Sequence, residues 1–151
     1  MRKRGARIRY QAKAAPGLIA QNLGPEYETR LRMAVEAVRG GWADCAHFND
    51  LADTLDLLRL GLLIYQDQKP DPGAEAVAEL ALVAMQNMLE RHEQHGRIGA
   101  TGEELKALDL LVETSLDFWN RRSGALFAEA YRQLVGIRRA NYNKAETGAH
   151  A

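Results

Sequence analysis

A three/four apolar spacing sustained across Trp42, Cys45, Phe48, Ala52, Leu55, Leu58, Leu62 and Tyr65 constrains this chain more than any other feature. Only a helix returns side chains at those intervals to one face. The spacing predicts a helix from about Trp42 to Gln66. Leu57, Leu60 and Ile64 form a second stripe beside the first. A helix apolar over so much of its circumference is either central to a bundle or one half of a homodimer seam. Asp50, Asp53 and Asp56 form its polar face, expected to point to solvent or to a basic protein partner. Period-two alternation occurs only over residues 7–10, so strands are not expected.

The segments on either side follow the same logic. Pro25, Glu26 and Glu28 suit the first turn of a helix that carries Tyr27, Leu31, Val35 and Val38 on one face and stops at Gly40-Gly41. Lys69-Pro70-Asp71-Pro72-Gly73 breaks the chain before a third helix, Ala74 to His95, with Gly96 and Gly99 after it. Thr101 followed by Glu104 is a capping box, the sharpest boundary signal present, and it opens a helix through Leu105, Leu108, Val112, Ser115 and Trp119. At Arg121-Arg122-Ser123-Gly124 the pattern allows either a turn or a glycine tolerated within one long helix ending near Tyr142. The expected fold is therefore all-α, a single bundle of four or five helices spanning residues 18–142. A flexible basic arm, residues 1–17, precedes it, and a disordered tail, residues 143–151, follows. At 151 residues the chain has room for one core.

The net charge of zero conceals a segregation. Residues 1–39 hold nine Lys/Arg and three acids, a balance of +6; residues 40–117 hold five and fifteen, −10; residues 118–151 hold six and two, +4. The arm carries Arg2, Lys3, Arg4, Arg7, Arg9 and Lys13 without one acid, and Tyr10 is placed to stack on a base. These seven residues are the candidate contacts to nucleic acid or another polyanion, since such cations bind phosphates through counterion release. The competing reading is a protein interface on the second helix, formed by Leu57, Leu60, Ile64, Asp50 and Asp53.

No catalytic constellation is complete. Asp44, His47 and Asp50 lie at i, i+3 and i+6, but no Glu-x-x-His motif accompanies them, as a helical di-metal site requires. His92 and His95 suit a helix C-terminus without any metal. Cys45, the single cysteine, reads as a small core side chain. Phosphate-loop glycine patterns do not occur. Metal, cofactor and enzymatic activity are therefore not expected. No run of 18 apolar residues and no secretory leader pattern is present, so a cytoplasmic setting without a membrane is expected.

Met1-Arg2-Lys3-Arg4, the helix around Asn49, and Thr101-Gly102-Glu103-Glu104-Leu105-Lys106-Ala107-Leu108 resemble small proteins encoded on phages, prophages and plasmids of Proteobacteria. Those proteins start with a basic arm and carry a T-G-x-E-L-x-A-L-like helix start before a basic C-terminal helix. The resemblance implies a mobile-element context and transfers no catalytic residue. The expected function is an accessory or regulatory binding protein of such an element, acting on nucleic acid or on a host or element-encoded protein. The alternative is a helical inhibitor or structural assembly protein with no nucleic-acid contact.

Overall fold

A computed structural model describes residues 24–65, 70–122 and 124–149. Five helices and no strand occur among them: α1 (Gly24–Gly40), α2 (Cys45–Tyr65), α3 (Pro72–His95), α4 (Gly102–Asn120) and α5 (Gly124–Ala149). The fold is an all-α bundle. The arm at residues 1–17 lies outside the described residues.

Each start and stop has a local cause. Gly41 adopts a left-handed φ of +76°, and its N–H and that of Trp42 close α1 by donating to Val38 and Ala37 carbonyls. Asp44 then caps α2, its Oδ1 accepting from the Ala46 and His47 N–H groups at 2.9 and 3.1 Å. This cap starts α2 at Cys45 instead of Trp42, and both of those side chains are exposed. The expected placement of Trp42 and Cys45 on the apolar stripe is thus corrected. Asp71 caps α3 through the Ala74 N–H, and Pro72 occupies the first turn, where it forfeits no hydrogen bond. Gly96, at φ +71°, ends α3. The capping box opens α4 as the sequence predicts: Glu104 N–H donates to Thr101 Oγ1, and Thr101 N–H to Glu104 Oε1.

The ambiguous stretch after Trp119 resolves as a turn. Arg121 and Arg122 N–H groups donate to Asp117 and Trp119 carbonyls, and a separate helix begins at Gly124. That helix runs on to Ala149 and not to Tyr142, so the expected disordered tail is helical over residues 143–149.

α2 touches all four other helices. α1 runs antiparallel to it, with Tyr27 and Arg30 meeting Thr54 and Asp50, and Arg138 of α5 meets Asp53 and Asp56. Leu51, Leu55, Leu58 and Leu62 sit in the core with Leu31, Met88, Leu108, Leu111 and Phe118. Gly61 allows α4 its close approach: a Cβ there would lie 2.7 Å from the Trp119 ring and 2.9 Å from Phe118. Tyr27, Phe118, Trp119, Phe127 and Tyr131 build an aromatic cluster at that end through edge-to-face and stacked pairs.

Candidate functional site

The seven proposed contacts Arg2, Lys3, Arg4, Arg7, Arg9, Tyr10 and Lys13 lie outside the described residues. The interface proposed on α2 lies within them, and the structure revises it. Leu57 is buried in the bundle, and Leu60 and Ile64 pack against the core at its margin. Leu57 of the second stripe is therefore covered by this chain's own helices, while Leu60 and Ile64 are half-buried. The exposed leucine of this helix is Leu63.

The acidic face is also occupied. Arg30 donates to both Asp50 oxygens, at 2.9 and 2.7 Å, and the Asp50 side chain is 16% exposed. Arg138 sits between Asp53 and Asp56, 3.3 Å from the latter. Burial pushes the Asp53 carboxyl above its ordinary value, against the pull of Arg138. Asp50, Asp53 and Asp56 thus bind α2 to α1 and α5; Asp50 is turned from solvent at 16% exposure, whereas Asp53 and Asp56 stay 40% exposed while pairing with Arg138. Periodicity revealed the face of α2 that they share, but not the arginines 20 and about 80 residues away that meet it.

The other candidates find local uses. Asp44 and His47 form a reciprocal cap, with the Asp44 N–H donating to His47 Nδ1 at 3.1 Å. The His47 N–H bond holds the Asp44 carboxyl below its usual range. Asp50 is turned to Arg30, so the i, i+3, i+6 spacing does not converge on one point. Among the described residues no three His, Cys, Asp or Glu side chains gather as a ligand set. No described helix is long and apolar enough to cross a membrane.

Two arginine sites escaped the sequence reading. Arg91 of α3 donates to Glu104 Oε2 at 3.0 Å, to Glu104 Oε1, and to the Gly99 carbonyl at 3.1 Å. Burial raises the Glu104 carboxyl, but these bonds and the Thr101 N–H outweigh it and hold the group below its usual value. At the other end of the α3–α4 pair, Arg122 stacks over Phe118 and Tyr65, with its guanidinium carbon 4.3 and 5.3 Å from the ring centroids. Its nearest carboxylate oxygen, Asp71 Oδ2, is 3.7 Å away. A groove of about 450 Å³ opens there, lined by Tyr65, Pro70, Asp71, Pro72, Arg121 and Arg122. The adjacent Arg121-Arg122 pair was visible in the sequence, but nothing in its spacing foretold that one of the two is buried.

Compared with protein-family models, curated proteins and solved structures, the chain has no match.

Proposed function

We propose that this chain is a non-enzymatic accessory or regulatory binding protein that contacts nucleic acid through its basic arm. The observation that carries the reading is how charge is distributed along the sequence. Within the helical body, five acids pair with arginines of other helices: Asp50 with Arg30, Glu113 with Arg32, Asp109 with Arg39, Glu104 with Arg91 and Asp53 with Arg138. Residues 1–13 hold six cations, and no acid occurs before Glu26. Such a segment gains from polyanions by counterion release. The resemblance to phage, prophage and plasmid proteins supplies the mobile-element context, and a cytoplasmic setting goes with it.

Removing residues 1–13 tests this directly. The truncated chain should keep its helical circular dichroism and lose binding to nucleic acid. For the full chain, log affinity for duplex DNA should fall with log salt at about −0.9 per phosphate neutralised, which caps the slope near −5 and makes about −3 reasonable for a partly engaged arm. A full-length chain that ignores duplex DNA, single strands and RNA at about 50 mM salt would defeat the reading.

The alternative, an inhibitor or assembly protein that meets only other proteins, draws on a different observation. Leu80 and Val83, both more than half exposed, lie one turn apart on the outer face of α3, and Trp42 is 56% exposed beyond α1. Pull-down by the arm-deleted chain that Leu80→Glu abolishes would favour it.

A further inference from the structure

We propose that the groove bordered by Tyr65, Pro70, Asp71, Pro72, Arg121 and Arg122 is an oxyanion site, with the Arg122 guanidinium as donor and a phosphate or carboxylate group as ligand. The inference is independent of what the arm binds.

The Arg122 side chain is only 9% exposed, yet its hydrogen-bonding capacity is poorly used. Stacking on Phe118 and Tyr65 fixes the plane of the guanidinium but satisfies no N–H. Its Nε is buried and has no hydrogen-bond partner. Asp71 Oδ2, at 3.7 Å, lies beyond hydrogen-bond reach. Asp71 is meanwhile committed to α3, its Oδ1 held by the Ala74 N–H at 3.1 Å and its carbonyl by the Glu75 N–H at 3.0 Å. A buried donor left unfilled is costly, and natural structures rarely keep one without a reason.

The surroundings suit an anion. Arg122 lines the groove with its guanidinium already held by aromatic rings, so little freedom is lost when an anion binds. Arg121 lines the same groove, sharing its charge with Asp117. A volume of about 450 Å³ accommodates a phosphate or carboxylate with a small substituent. The Asp71 carboxylate opposes the ligand, which sets the expected affinity in the millimolar range.

The test uses the full chain and two probes, inorganic phosphate and acetate, titrated at constant ionic strength. The Arg122 Nε–H resonance is followed by NMR, so that binding to the arm does not register. The expected result is a saturable shift with a dissociation constant of about 1 mM. The tighter of the two anions identifies the source, a phosphate ester or a carboxylic acid. Asp71→Asn keeps the cap, removes the opposing charge, and should tighten binding about threefold to tenfold. Arg122→Lys keeps a cation but loses the fork and should weaken binding about tenfold. That variant is read by isothermal titration of the full chain, with wild type alongside so that what the arm binds cancels in the difference. Arg122→Gln should abolish it. If Arg122→Gln does not fold, Asp71→Asn and Arg122→Lys decide. No saturable shift with either anion, or affinities unmoved by these substitutions, would overturn the proposal.

Discussion

Arg91 and Arg122 hold the two ends of one helix pair, and they do so with unequal success. Each lies at or just past the C-terminal end of a helix, and each faces the acid that opens the other: Arg91 of α3 meets Glu104 in the first turn of α4, and Arg122 after α4 meets the Asp71 cap of α3. The first arginine reaches three acceptors, whereas the second is 3.7 Å from its nearest carboxylate oxygen. Side-chain length explains much of this. Glu104 stands three residues inside its cap and reaches back, so one carboxylate serves the Thr101 N–H and Arg91 together. Asp71 is the cap itself, and its short side chain is held by the helix it starts. A filled arginine acts as a clamp, while an unfilled one retains donors for something else.

The largest effect should come from the clamp. Arg91→Ala leaves a Glu104 side chain that is 9% exposed without its cation. Because Arg91 is itself partly exposed, the loss should be about 2–3 kcal/mol, below the full cost of breaking a deeply buried pair. Urea denaturation at neutral pH measures it. The folded-state carboxyl is held below 4.5, so its contribution is present above that pH and is lost as pH falls through the folded value. Arg91→Ala should therefore shrink the wild type's loss of stability on the acid side.

The opposite end should fail in base. Tyr27 belongs to the aromatic cluster there, hydrogen-bonded to Thr54 at 3.3 Å, and burial pushes its phenol up to about 12. A raised value means the contribution is whole below pH 10 and is lost as pH climbs through about 12. The loss amounts to about 2–3 kcal/mol at the alkaline limit. Tyr27→Phe should flatten that limb in a pH series of urea melts. Retention of the alkaline slope in this variant would assign it to another group.

Gly61→Ala probes the seat on which Arg122 rests. The added Cβ meets both Trp119 and Phe118 under 3.0 Å, so rings must shift, at about 1–2 kcal/mol. If the seat orients the guanidinium, this variant should also broaden the Arg122 Nε–H resonance. A thermal melt and one spectrum check both expectations.

What the sequence made legible follows the range of the forces involved. Periodicity and capping act over three or four residues, and they located α3, the Thr101 box and the apolar stripes of α2. The fate of those stripes was settled at long range: Leu57 reads the same whether a second chain or α2's own neighbours cover it. Asp50, Asp53 and Asp56 looked like a solvated face because their partners, Arg30 and Arg138, stand on other helices. Where the apolar spacing continued past a cap, as at Trp42 ahead of Asp44, the cap decided the boundary. Arg122 was illegible for the same reason, since its burial depends on Tyr65 and Phe118 meeting across two helices.

The smallest expected effect is the sharpest test of the comparison, because it uses matched substitutions. Glu104→Gln and Asp71→Asn each remove one charge and keep a side-chain acceptor at a helix start. Glutamine preserves the bond from the Thr101 N–H but leaves Arg91 facing a neutral amide, so about 1–1.5 kcal/mol should be lost. Asparagine caps a helix as well as aspartate does, and the interaction it weakens is already beyond hydrogen-bond distance. Asp71→Asn should therefore change stability by no more than about 0.5 kcal/mol. Equal losses in the two variants would mean that the Arg122–Asp71 pair closes in solution to match the other end. Unequal losses, with Asp71→Asn near zero, leave Arg122 as a buried cation whose donors are available to a ligand.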